Sequence, residues 1–102
     1  MKSVDSQQLL KVSDIAFISA EGNYIRLHTS TGSHLVRERM VGIVGRLDPT
    51  LFKRIHRSTI VNLDYVDKRL SWFGGDYLIL MKDGKRLTLS RSFKDAFNAF
   101  EK

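Results

Sequence analysis

Short stretches in which apolar and polar residues alternate recur through most of the chain and predict β-strands. The alternation is most regular between Tyr24 and His28, where every second side chain is apolar. Turn-forming residues separate the stretches, and the Asp83-Gly84 pair is typical of a tight hairpin. The strands predicted in this way lie at residues 16–20, 24–28, 34–37, 51–55, 66–73, 77–81 and 86–89.

Two segments have helical spacing instead. Between residues 38 and 47 the apolar residues recur every three to four positions, and Pro49 disfavours helical geometry just beyond them. Near the C-terminus, Phe93, Phe97 and Phe100 share one face of a predicted amphipathic helix that begins at Ser92 with a capping-box spacing. Together these patterns predict a mainly β domain with two short peripheral helices.

Length and composition limit the domain organisation. A chain of 102 residues with 42% hydrophobic residues is most simply one folded domain. We expect residues 9–102 to form it and residues 1–8 to be a linker or a cloning remnant. Cysteine is absent. No apolar run is close to the length of about 18 residues that is needed to cross a bilayer, and the polar N-terminus does not resemble a signal peptide. We therefore expect a soluble, cytoplasmic domain that is not in a membrane.

The charge balance indicates the kind of partner. Seventeen lysines and arginines face eleven acidic residues, which gives a net charge of +6. An excess of that size on a small domain favours polyanions, nucleic acid first and anionic membrane second.

Residues 52–62 read Phe-Lys-Arg-Ile-His-Arg-Ser-Thr-Ile-Val-Asn and concentrate cationic and hydrogen-bonding groups between apolar anchors. Cations and small donors bind phosphate, and a firmly held Arg or Asn can read a base edge. A strand with a basic solvent face would have a similar composition. Two further polar segments, at residues 22–24 and 90–92, support the nucleic-acid interpretation, and the second of them precedes a predicted helix whose N-terminus suits a phosphate.

Catalysis is not indicated by any familiar constellation. The three histidines lack the spacing of a metal-binding helix, no cysteine accompanies them, and neither a phosphate-binding glycine loop nor a Gly-x-Ser-x-Gly turn is present. We expect no enzymatic activity, no metal site and no cofactor.

Three ordered segments give the chain a family resemblance. Residues 14–24, residues 52–62 with their Phe-x-Arg-x-His-Arg-Ser core, and Asp83-Gly84 followed by residues 89–92 resemble the LytTR DNA-binding domain of bacterial response regulators. The resemblance extends from about Leu9 to the C-terminus. It implies an elongated antiparallel β-sheet domain whose loops enter successive major grooves of double-stranded DNA, with one monomer on each of two direct repeats. It also implies a receiver domain upstream in a longer chain and pairing of two monomers on DNA.

The resemblance assigns roles to individual residues. Base contacts are expected from Asn23, Tyr24, Arg57 and Arg91. Phosphate contacts are expected from Arg54, Ser58, Ser92 and Lys94. His56 and Asn62 are motif members that we expect to order the loop by hydrogen bonds.

Two alternatives use the same residues differently. The domain could be a protein-interaction or sensory β module whose charge suits an acidic partner, with Trp72 and Phe73 forming part of an exposed patch. Single-stranded RNA binding would require aromatic residues among basic ones on a sheet face, for which Tyr24 and Tyr77 are the evident candidates.

Overall fold

The computed structural model describes residues 11–71 and 77–93. They contain one α-helix and eight strands, and the strands form two antiparallel sheets. The elements are β1 (Ile15–Glu21), β2 (Tyr24–Thr29), β3 (Gly32–Val36), α1 (Met40–Val44), β4 (Phe52–His56), β5 (Thr59–Asn62), β6 (Val66–Ser71), β7 (Tyr77–Met81) and β8 (Arg86–Leu89). Single 3-10 turns lie at Val12–Asp14, Leu63–Tyr65 and Arg91–Phe93.

The larger sheet has the strand order β3-β2-β1-β5-β4, and the smaller has the order β6-β7-β8. Strand β1 pairs with both β2 and β5, so that Ser19 lies between Arg26 and Thr59. Since all these pairs are antiparallel, the turn from β1 to β2 and the turn from β4 to β5 leave the sheet at the same end. This register determines which loops become neighbours.

Each face of the larger sheet covers its own hydrophobic cluster. One cluster lies against the smaller sheet and contains the buried residues Phe17, Ile55, Val61, Ile79, Met81 and Leu89. The other lies on the α1 side and contains Ile15, Ile18, Ile25, Met40, Phe52 and Ile60. A bulge in the register between Ile15 and Phe17 allows β1 to contribute Ile15 and Ile18 to the same side.

The burial pattern explains why these sequences form strands. Ile18, Ile25 and Ile60 are all at most 2% exposed, and burying each contributes about 1.5–3 kcal/mol. Replacing Ile60 by Ala would cost about 2–5 kcal/mol, because the neighbouring side chains cannot fully close the cavity. The two clusters hold the strand ends, and therefore the loops, in fixed positions.

The predicted mainly β fold is confirmed, with one strand, β5, that was not predicted and some changes in element bounds. Strand β3 begins at Gly32 instead of residue 34, because the turn before it is short and is closed by the Thr29 hydroxyl, which donates to the Gly32 carbonyl oxygen at 3.1 Å. Helix α1 is five residues long, where ten were predicted, since Arg39 is extended and offers no side-chain cap. The 94–102 part of the predicted terminal helix, Trp72 and Phe73, and the proposed 1–8 linker lie outside the described residues.

Candidate nucleic-acid interface

Three polar segments that are distant in sequence meet at one end of the larger sheet. The Ala20 amide donates to the carbonyl oxygen of Ser58 at 2.9 Å, which joins the end of β1 to the turn after β4. The Ser90 amide donates to the carbonyl oxygen of Ile55 at 2.7 Å, which brings the segment after β8 to the same place. We call the 22–23 turn, the 57–58 turn and the 90–93 segment together the loop end.

The 22–23 turn presents a short polar tip. Gly22 has a φ of 65°, a left-handed conformation that glycine adopts without the steric cost of a Cβ atom. Asn23 is exposed, and Tyr24, the first residue of β2, is 40% exposed. Both predicted base readers of this turn are thus accessible from solvent.

Arg26 adds little free positive charge beside that turn. Its Nε donates to Oε2 of Glu21 at 2.6 Å, and a second nitrogen donates to Oε1 at 3.1 Å. The hydrogen bond from Arg26 holds the pKa of Glu21 below its usual value, so the carboxylate is charged at neutral pH and offsets the guanidinium.

The 57–58 turn is ordered by the side chains before it. Nδ1 of His56 accepts a hydrogen bond from the Ser58 amide at 3.2 Å and lies 3.0 Å from the Ser58 hydroxyl oxygen. Because the amide can only donate, the acceptor role of Nδ1 places the imidazole proton on Nε2. Arg57 is exposed at the tip of the turn.

Arg54 was predicted to contact phosphate, and the structure places its guanidinium against the protein. Nε donates to the carbonyl oxygen of His56 at 3.3 Å, and Nη2 donates to the carbonyl oxygen of Arg57. The guanidinium carbon also lies 5.6 Å from the centre of the Phe93 ring. Arg54 therefore contacts both the 57–58 turn and the 90–93 segment.

The 90–93 segment forms one 3-10 turn after β8. The Ser90 hydroxyl accepts from the Ser92 amide at 3.3 Å, and the Ser90 carbonyl oxygen accepts from the Phe93 amide at 2.9 Å. Arg91 and Ser92 are exposed, while Phe93 packs against the cluster between the sheets. Lys94, the remaining predicted phosphate contact, lies outside the described residues.

Asn62 lies at the opposite end of the β4–β5 hairpin. It is completely buried, its Nδ2 donates to the Ile15 carbonyl oxygen at 2.8 Å, and its Oδ1 accepts from the Asp64 amide at 2.9 Å. These bonds order the start of β1 and the 3-10 turn after β5, and they do not reach the 57–58 turn.

Two cationic residues at the loop end were not among the sequence-based candidates. Val36, the last residue of β3, is paired with Ile25, and Arg37 and Arg39 follow it as exposed residues. The pairing places the end of β3 next to the start of β2, beside Tyr24. The Arg-Glu-Arg sequence, where a predicted strand gives way to a predicted helix, was a signal for these residues, but its relevance depends on the strand order.

Other kinds of site find little support in the part of the chain that the structure describes. There, no three His, Cys, Asp or Glu residues are grouped as a metal site would require, and no helix is long and apolar enough to cross a membrane. A cleft of about 820 Å³ lies at the end opposite the loops, between the β2–β3 and β7–β8 turns. His28 lines it, stacked on the Phe17 ring at 3.9 Å between centres.

A mainly β domain that gathers exposed polar and basic loops at one end has the architecture of a nucleic-acid-binding module that uses loops instead of a recognition helix. The chain belongs to the LytTr DNA-binding domain family, whose family model matches residues 5–101. The resemblance found in the sequence motifs is thereby confirmed.

Individual relatives agree with this assignment. The chain is 30% identical over 89 residues to the sensory transduction protein LytT of Bacillus subtilis, which covers 87% of the chain and 37% of the relative. It is 30% identical over 95 residues to the transcriptional regulatory protein LytR of Staphylococcus aureus, which covers 93% of the chain and 39% of the relative. The chain thus spans about two fifths of the length of these relatives.

The fold also has a counterpart among solved structures. A LytTr DNA-binding domain from Bacillus cereus superposes with a TM-score of 0.87 and 20% sequence identity, covering 98% of this chain and 92% of that one. The family and this fold identify the chain as a DNA-binding domain of the kind found in bacterial transcription regulators.

Proposed function

We propose that this domain binds double-stranded DNA in a sequence-specific manner, with its loops in the major groove. The observation that supports this most directly is the convergence of Asn23, Tyr24, Arg57 and Arg91 at the loop end, all of them exposed. A major groove about 12 Å wide accommodates a tight turn, and Arg and Asn side chains match guanine and adenine edges there. Helix α1 packs Met40 and Ile43 against the core and, at five residues, is too short to act as a recognition helix.

The phosphate contacts of the proposed complex surround these base readers. Ser58, Ser92 and Lys94 keep the role expected from the sequence, and Arg37 and Arg39 join them on the β3 side of the loop end. Arg37 and Arg39 lie across the sheet from Arg91, so the positive charge would extend along the backbone of the bound duplex. The direct hydrogen bonds of Arg54 to the protein argue for a role other than phosphate binding.

The lengths of the relatives support a proposal for the larger protein to which the domain belongs. We propose that it is the output domain of a longer cytoplasmic two-component regulator with a receiver domain upstream, because the relatives are more than twice as long as the matched region. Two monomers would pair on DNA by occupying direct repeats about one helical turn apart. The domain itself would act by binding and would catalyse no reaction.

Selection from a randomised duplex library tests this function. The recovered site should be titrated at two salt concentrations against scrambled DNA of equal length. We expect a motif repeated about 10–10.5 base pairs apart and preferred by on the order of a thousandfold. Salt-sensitive binding without any motif would contradict base reading, and binding to an acidic protein with no duplex binding at physiological salt would support the interaction-module alternative.

A further inference from the structure

The contacts of Arg54 join two segments that the proposed function uses to read DNA. Its guanidinium donates through Nε to the His56 carbonyl oxygen at 3.3 Å and through Nη2 to the Arg57 carbonyl oxygen. These are charge-assisted hydrogen bonds, which are stronger than those between neutral groups. They hold the two main-chain carbonyls that flank the tip of the 57–58 turn.

The carbon of the same guanidinium lies over the Phe93 ring, 5.6 Å from its centre. A guanidinium is planar, so its edge can bind the turn while its face stacks on an aromatic ring. Phe93 lies two residues after Arg91 and belongs to the same 3-10 turn. The hydrogen bond from the Ser90 amide to the Ile55 carbonyl oxygen, 2.7 Å long, attaches the beginning of that segment to β4.

We propose that Arg54 is a positioning residue that fixes the 57–58 turn relative to the 90–93 segment, and that it is not primarily a phosphate ligand. Its function is to hold Arg57 and Arg91 at a set separation, so that both can meet base edges of one site. This inference rests on the proposed function for its effect on DNA, but the contacts on which it depends exist without DNA.

Substitution of Arg54 by lysine distinguishes a positioning role from a phosphate-binding role, because lysine keeps the positive charge but lacks the planar guanidinium. An ammonium cannot bind both carbonyls edge-on and also stack on Phe93. Arg54→Lys should therefore loosen both segments, whereas a phosphate ligand replaced by lysine would keep its electrostatic contribution. Arg54→Gln removes the charge and completes the comparison.

The first readout needs no DNA. Amide hydrogen exchange at Ser58 and Phe93 should be faster in Arg54→Lys than in wild type, with exchange in the core residues Ile18 and Ile25 unchanged as evidence of an intact fold. Phe93→Leu, which keeps an apolar side chain against the core but removes the ring, should speed exchange at Ser58 as well. Unchanged exchange at both amides in Arg54→Lys would overturn the proposal.

The second readout uses the selected duplex. Arg54→Lys should weaken binding to that site about tenfold and leave binding to scrambled DNA unchanged. The slope of binding against salt should be the same in wild type, Arg54→Lys and Arg54→Gln, since no phosphate contact is lost. A slope reduced by about one in Arg54→Gln, the signature of a lost phosphate contact, would overturn the proposal.

A double-mutant cycle tests the connection between the two contacts. If Arg54 acts through Phe93, adding Phe93→Leu to Arg54→Lys should cost far less specific affinity than Phe93→Leu costs alone. Strictly additive losses would contradict a shared role. A wild-type domain without any sequence preference would refute the proposed function, while the exchange measurement would still decide whether Arg54 joins the two segments.

Discussion

Replacing Asn62 by Ala tests how the fold supports the loops. Asn62 is completely buried, and both ends of its amide are used, on the Ile15 carbonyl oxygen and on the Asp64 amide. Ile15 is 4% exposed, so water cannot replace the donor that its carbonyl oxygen loses, and this loss costs about 1–3 kcal/mol. Asp64 is exposed, so water can accept from its amide once Oδ1 of Asn62 is removed. Losing that hydrogen bond therefore costs only about 1 kcal/mol.

Together, the loss of these two hydrogen bonds lowers the free energy of unfolding by about 3 kcal/mol. For a domain of this size, each kcal/mol lowers the melting temperature by about 4–8 °C, so Asn62→Ala should melt about 12–24 °C below wild type. Thermal and urea denaturation followed by circular dichroism measure this directly. Below its transition, the variant should still select the same DNA site, because Asn62 is remote from the loop end.

Asn23→Ala is the matched control. Asn23 is exposed at a turn tip, so its loss should change the unfolding free energy by no more than about 0.5 kcal/mol while weakening specific DNA binding. A melting temperature for Asn62→Ala within 2 °C of wild type would refute the stabilising role of the buried amide. Equal effects of the two variants on DNA specificity would refute the separation between core and loop end.

Gly22→Val should destabilise the domain by about 1–2 kcal/mol in urea denaturation and Gly22→Asn by less, since no atom crowds the site and only the left-handed backbone at φ 65° opposes the new side chain. Burial, followed by the charges of Arg26 and Lys85, lowers the pKa of His28 from its ordinary 6.5. The stability that neutral His28 contributes is therefore complete above pH 6.5 and is lost as the pH falls through the folded-state pKa. Between pH 7 and pH 5 the melting temperature of His28→Gln should fall less than that of wild type, and an equal fall would contradict this. Arg37→Ala combined with Arg39→Ala should weaken binding to specific and scrambled DNA alike and reduce the salt slope by one to two, and an unchanged slope would remove both residues from the interface.

Strand positions could be predicted from the sequence because alternation is a local property. Strands β7 and β8 were predicted with the bounds that the structure shows, since turn residues delimit them on both sides. Helix α1 was overestimated because apolar spacing continues to Leu47, while the extended backbone of Arg39 and the absence of a cap shorten the helix. Strand β5 (Thr59–Asn62) was not predicted, because Ile60 and Val61 are consecutive apolar residues and do not alternate with polar ones. Where elements were predicted, local patterns gave their type better than their length.

The arrangement of the site depends on contacts between distant residues, and a single sequence does not contain them. The resemblance assigned Arg54 to phosphate, and the structure shows it donating to backbone carbonyls, which have no signature in the residue types. Asn62 was expected, as a member of the family motif, to order the loop, and its amide binds Ile15, 47 residues away. Arg37 becomes a candidate only because β3 pairs with β2.

The central claim is that Arg57 and Arg91 read bases from two neighbouring segments of the loop end. The most direct measurement is the dissociation constant of wild type, Arg57→Ala and Arg91→Ala on the selected duplex and on scrambled DNA at one salt concentration. Each variant should lose about 1–3 kcal/mol on the selected site and much less on scrambled DNA, with relaxed preference at one base position. Arg86→Ala, which removes an exposed arginine at the start of β8, at the end of the domain opposite the loops, serves as the control and should bind like wild type. If both arginine variants bind the selected site as tightly as wild type, the claim is wrong.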